Sequence, residues 1–228
     1  MGQSTFSRLP FTRAFAPRDC QNPPVSKDRL ETFSDGVFAI AITLLVLTLA
    51  QPSNYNDLGH QLGLRWPSLA AYVVSFVVIG IMWLNHHTIF GHLDHIDRGL
   101  FYLNLVLLMT IVFIPYPTGV LGEALRRGHG ARTAAVFYTA VMTTNACAWA
   151  ALWLYSSVGR RLLGPEFPES QRTMATILFV AGVFVYSASI GVAFIDPYLC
   201  LGVQGLLALY YALDPIARRA ARQQASSP

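Results

Sequence analysis

The chain has 228 residues, of which 54% are hydrophobic and only 12% are Asp, Glu, Lys or Arg, with a formal net charge of +4. Soluble domains usually carry about a quarter charged residues, so this composition and its long uncharged stretches point away from a soluble protein and toward a polytopic membrane protein. The small positive charge asks for no nucleic-acid partner, because the basic residues lie in tails and loops; Cys20, Cys147 and Cys200 share no metal-ligand spacing and are expected as free thiols.

Residues 1–28 hold Pro10, Pro17, Pro23 and Pro24, scattered arginines and no apolar run of signal-peptide length. They are expected to form a disordered cytoplasmic arm rather than a cleaved signal. The first predicted span, about 33–50, opens on Arg29, Glu31, Ser34 and Asp35 and then carries no charge through Ala50. A charged group at the edge of a membrane span is costly unless paired, which makes this cluster a candidate site. Ser34 and Asp35 also fit a helix N-cap. Farther along, Ile40, Leu44 and Leu47 fall on one helical face with Thr43 beside them, a stripe that ordinarily means packing or lipid contact. Gly36, Ala39 and Ala41 allow close approach of neighbouring helices.

The second span, about 68–90, ends in Trp83-Leu84-Asn85-His86-His87, followed by His92, Asp94, His95 and Asp97. The third, about 100–121, carries Asn104 near its start and reaches Ile114-Pro115-Tyr116-Pro117-Thr118-Gly119, where two prolines are expected to break the helix near the outer face and Tyr116 to anchor at the interface. These polar groups share one depth with Arg29 and Asp35, and buried polar groups must find partners. One mutual network is therefore expected, in which Ser34 and Asp35 bond Trp83, His86 or His87, and Asn104, with Asn85 and the indole also buried and Arg29 closing the cluster. His87, His92, Asp94 and His95 have the residue types of a metal site, although polar residues are ordinary at a helix end. No metal, cofactor or catalytic residue is assigned.

The fourth span, about 133–158, is long, and Trp149, Trp153 and Tyr155 are read as interfacial belt residues at its inner end. The fifth and sixth, about 173–195 and 197–214, are split only by Asp196-Pro197 and should form a hairpin. Tyr198, Tyr210 and Tyr211 mark the sixth, and 215–228 is expected as a cytoplasmic tail. With the N-terminus inside, twelve Lys and Arg fall on the cytoplasmic side and four (Arg65, Arg126, Arg127, Arg132) outside, which favours both ends in the cytoplasm. The first helix then has its C-terminal, partly negative end outside, where several copies around an axis would favour a cation.

Arg29-x-x-x-Phe33-Ser34-Asp35 opening a first membrane helix resembles the signature of the transmembrane protein 175 family of endolysosomal potassium channels and their bacterial homologues. Trp83-Leu-Asn-His-His87, Asn104 and the Ile-Pro-Tyr-Pro-Thr run resemble the family too, and the likeness covers about 29–214. It implies an all-α fold of six transmembrane helices per subunit, a bacterial homotetramer in the inner membrane, and a pore lined by the first helix. By position it puts Ile40 at the narrowest layer, Leu44 and Leu47 farther out, and Thr43 at a polar layer tied to cation preference. The implied function is a channel, not an enzyme, that passes potassium and, through modest selectivity, other monovalent cations. A proton pathway, or a membrane-embedded metal-dependent enzyme or transporter using 86–97, stands as the alternative.

Overall fold

The computed structural model describes residues 26–52 and 55–212, the last three by their backbone alone. The expectations for the arm through Val25, for Cys20, for the tail from residue 213 and for the side chains of Tyr210 and Tyr211 lie outside the described residues. In chain order the helices are α1 (Lys27–Leu44), extended by a 3-10 turn (Leu45–Thr48), α2 (Leu58–Gly63), α3 (Trp66–Gly91), α4 (Arg98–Phe113), α5 (Pro115–Arg127), α6 (Ala131–Ser157), α7 (Glu169–Ile195) and α8 (Pro197–Ala212). Five stretches are long and apolar enough to cross a bilayer: α1 with its 3-10 turn, α3, α4 with α5, α6 with the turn after it, and α7. The sixth, α8, is shorter, at about 24 Å of helix against the ~30 Å of a hydrocarbon core. The fold is thus the expected all-α, six-helix membrane domain, with the short α2 as an addition in the first loop.

The first helix begins earlier than its apolar run. Lys27 Nζ donates to Leu93 O at 2.7 Å and reaches Gly91 O, so a cation sits on the carbonyl end of α3. Ser26 is the N-cap residue, and Ser34 and Asp35 therefore lie two turns inside α1, not at its cap. The Ser34 hydroxyl donates back to Leu30 O at 2.8 Å.

The two prolines of the third span do not end it. Ile114 keeps helical angles (φ −54°, ψ −40°) and Pro115 takes the first position of α5, where a missing N–H costs nothing. Helix continues to Arg127, past the expected boundary at 121. Thr118 fills the gap: both its amide and its hydroxyl donate to Ile114 O.

The tryptophans of α6 are not belt residues. Helix α6 packs against α4, α5, α7 and α8 at the centre of the subunit. Trp149 and Trp153 are buried in it and stack on Phe179 of α7, and the Trp153 indole donates to Thr176 Oγ1 at 2.9 Å. The hairpin is as expected: Asp196 is extended (φ −149°, ψ 123°) between α7 and α8, and its carboxylate accepts from the Leu199 amide. Cys147 and Cys200 are free thiols.

The start of α4, the end of α6 and the turn that follows α6 are clamped together on the side where α1 begins. Asp97 caps α4 through the Leu100 amide, accepts from the Tyr155 hydroxyl at 2.8 Å, and pairs with Arg161 at 3.1 Å. The Arg161 guanidinium also lies over the Tyr155 ring at 4.4 Å. Gly99 is required here, because a Cβ on it would collide with the Tyr155 hydroxyl. At the other end Arg65 donates to the carbonyls of Ala50 and Gln51, just past the end of α1. The expected cation-attracting outer end of α1 thus already holds a fixed cation.

Candidate pore helix and its anchor

Helix α1 lies at the edge of the subunit, packed on α3 and α4, and its two faces differ in kind. Leu30, Ser34, Phe38, Ala41 and Leu45 recur at helical spacing and are buried. On the other side, Phe33, Ile40, Leu44 and Leu47 are 51%, 56%, 37% and 77% exposed, and Gly36, Ala39 and Thr43 are exposed with them. At 100° per residue, Ile40 stands about 200° around the helix from Phe38. The whole predicted pore stripe is turned away from its own subunit. Phe33, which the signature groups with Ser34 and Asp35, belongs to this open face.

Helices in a bilayer gain little from apolar contact, because lipid is as apolar as their side chains. What fixes the rotation of α1 is therefore close packing together with polar links to α3 and α4. The first link is buried. Ser34 Oγ uses its hydrogen on Leu30 O, so it can only accept, and the Asn104 amide nitrogen donates to it at 2.9 Å. That leaves the Asn104 oxygen facing His86 Nε2 at 2.9 Å, so this nitrogen must carry a proton. The donor order runs from imidazole to amide to hydroxyl to backbone carbonyl. Phe90 stacks on the His86 ring at 4.0 Å between centroids, Phe38 and Trp149 meet it edge-on, and Nδ1 has no partner among the described residues.

The second link is a two-rung ladder nearer the surface. The Trp83 indole donates to Asp35 Oδ1 at 2.9 Å, and His87 Nδ1 meets Glu31 Oε1 at the same distance. Glu31 and Asp35 are four apart on α1, as are Trp83 and His87 on α3, and the two rings stack. The indole is 41% exposed and Asn85 half-buried, so neither is enclosed as expected. His86, not His87, enters the buried link. Arg29 does not close the cluster: it is exposed, and its guanidinium has no hydrogen bond or ion pair among the described residues. Lys27 was missed as an anchor, and Glu31, named in the charged cluster, was given no partner, although the i, i+4 spacing of Glu31 and Asp35 was a readable signal.

The histidines of the metal alternative go separate ways. His92 Nδ1 bonds Thr88 O, and His95 lies beside Asp94 on the exposed loop. Among the described residues no three His, Cys, Asp or Glu come together as a metal group. Thr43 uses its hydroxyl hydrogen on Ile40 O at 2.9 Å, which leaves oxygen lone pairs on the open face, an arrangement that receives a cation rather than an anion.

The sequence profile of the family described as "Endosomal/lysosomal potassium channel TMEM175" matches residues 29–115. A Streptomyces collinus protein named a potassium channel is 44% identical over 190 residues, 82% of this chain and 92% of that one. The chain belongs to the TMEM175 family. The crystal structure of a TMEM175 homologue from Chamaesiphon minutus, described as a lysosomal potassium-selective channel homologue, superposes with a TM-score of 0.74 at 37% identity, covering 82% of this chain and 96% of that one. The human protein, named a proton channel, is 34% identical over 102 residues, 40% of this chain and 20% of its own. The segment 29–115 that the family profile matches holds α1 from Arg29 onward, the Ser34–Asn104–His86 and Asp35–Trp83 links, and the α4–α5 junction.

Proposed function

We propose that four copies of this chain assemble in a bacterial inner membrane, with both termini cytoplasmic, and that the open faces of four α1 helices line a potassium-permeable pore. The observation that carries the reading is the outward turn of Ile40, Thr43, Leu44 and Leu47, on a helix whose opposite face is anchored by buried polar bonds. A ring of Ile40 forms a hydrophobic constriction that closes by dewetting. Thr43, with its hydroxyl hydrogen used on Ile40 O, presents oxygen lone pairs to a passing cation. Selectivity is modest, since four hydroxyls replace a hydration shell less completely than a carbonyl cage. Phe33 stands at the inner mouth, and the Ser34–Asn104–His86 and Asp35–Trp83 bonds hold the helix in its rotation.

The donor chain argues against protons as the main cargo along the anchor. An amide in the middle of a chain does not hand protons on as water or a carboxylate does, and this chain ends on a backbone carbonyl at one side and an aromatic wall at the other. Purified protein in planar bilayers tests the proposal. Potassium current with a reversal potential that follows the potassium gradient, and block of an Ile40→Cys variant by a charged, water-soluble thiol reagent, are expected. No potassium current, a reversal potential that follows the proton gradient, or an Ile40→Cys variant that the reagent leaves unmodified would overturn it.

A further inference from the structure

A cavity of about 150 Å³ opens between α3, α6, α7 and α8, on the far side of α3 from the pore stripe. Its lining is mostly apolar, with Met82, Trp149, Phe179 and Ala175 prominent, and among the described residues no charged one takes part. Two amides also line it, those of Asn85 and Asn145.

Asn145 is 1% exposed, and its oxygen has no partner among the described residues. Local chemistry fixes which amide atom is the free one. The Thr110 hydroxyl donates to Leu107 O at 2.7 Å, so it can only accept, and the Asn145 nitrogen donates to it at 2.8 Å. A strong acceptor, on a residue that lines the cavity, is thereby left without a donor and covered by its neighbours. A buried carbonyl oxygen without a donor is costly in water-free surroundings, and the α6 backbone has no spare N–H to offer it.

We propose that this cavity is a binding site for a neutral, ring-sized molecule of the phenol class, dissolved in the bilayer, whose hydroxyl donates to Asn145 Oδ1 as the side chains that now cover that oxygen move aside. The volume suits one aromatic ring, as an apolar cavity of about this size takes up benzene. Trp149 and Phe179 supply faces and edges for the ring, and the lack of charged lining selects an uncharged occupant. Trp149 also forms part of the wall around His86, so the occupied site touches the anchor of α1. The binding claim itself does not depend on α1 being a pore helix.

Fluorine NMR of 4-fluorophenol and fluorobenzene, titrated into purified protein in detergent, tests the site. Empty micelles supply the partition baseline. Wild type is expected to bind the phenol about three- to tenfold more tightly than fluorobenzene, the margin of one hydrogen bond. Asn145→Leu should keep fluorobenzene binding and abolish the preference. Ala175→Phe, which fills the cavity from α7 and leaves Asn145 in place, should lose both ligands while eluting and melting as a folded protein. Binding of neither ligand to wild type, a preference that survives Asn145→Leu, or unchanged binding to Ala175→Phe would overturn the proposal; the first result would leave water as the occupant.

Discussion

Replacing Ser34 by alanine removes one oxygen and strands two other groups. The Asn104 nitrogen loses its acceptor, and the amide is then free to turn, which releases His86 Nε2 as well. An unsatisfied buried donor costs about 1–3 kcal/mol, whereas interhelical hydrogen bonds in membranes average nearer ~0.6 kcal/mol and reach about 1.7. The site is fully buried and its neighbours Phe38, Phe90 and Trp149 offer no substitute, so the upper end of the membrane range decides. Ser34→Ala is expected to lower stability by about 1–2 kcal/mol, read as a lower melting temperature of the detergent-solubilised protein. Asn104→Leu combined with Ser34→Ala should cost less than the sum of the two single changes, because each already breaks the same bond. Strict additivity would show that the two side chains do not share one link. The individual residues of this link were legible in the sequence as polar groups at a common depth. Their donor order was not, because it follows from which hydrogen Ser34 has already used, and only coordinates reveal that. Arg29 failed for the opposite reason: its charge drew attention, but a guanidinium at a membrane edge is solvated there and needs no partner.

At the scale of whole elements, sequence periodicity marked out both faces of α1 and could not say which one the subunit would cover. Ile40, Leu44 and Leu47 form as good a packing stripe as Phe38, Ala41 and Leu45. The polar residues break the tie, since Ser34 lies with the second set and its interhelical partner, Asn104, is on α4. Helix ends were harder to place, for a physical reason. Apolar composition locates the bilayer, but α1, α5 and α7 run past it into polar residues such as Lys27, Arg127 and Glu169, where side-chain caps and pairs decide the boundary. The clamp around Asp97 is one such decision, and it carries a pH signature. Partial burial pushes the carboxyl upward, but the Leu100 amide, the Tyr155 hydroxyl and the Arg161 guanidinium outweigh it and hold Asp97 below the ordinary 3.8. A carboxyl depressed in the folded state adds stability that is fully present above its unfolded value and fades as pH falls through the folded one. The melting-temperature gap between wild type and Asp97→Asn should therefore be flat from about pH 5 to 8 and close as pH drops below about 4. A gap that widened on acidification would mean that the carboxylate is not held in its charged form by these partners.

For the molecule as a whole, the decisive question is what covers the open face of α1: lipid, or water and three other copies of the same helix. Polar substitution separates the two, because the same side chain has opposite consequences in the two settings. Ile177 on α7 is 58% exposed, close to the 56% of Ile40, and α7 lies on the periphery of the subunit, with few of its residues buried. An asparagine at 177 would meet hydrocarbon, where it has no partner, so it should lower stability or yield and leave any current per channel unchanged. An asparagine at 40 in a four-fold constriction would meet three others and the column of water above and below it. Four amides wet a ring that isoleucine keeps dry, and removing the dewetting barrier raises the open probability or the conductance without altering the anchor behind it. Ile40→Asn is accordingly expected to pass several times more potassium current than wild type in matched bilayers and to be less selective against sodium, while Ile177→Asn passes the wild-type current. Equal behaviour of the two variants would place α1 against lipid and remove the pore from its open face, even though the fold and the anchor stayed as they are.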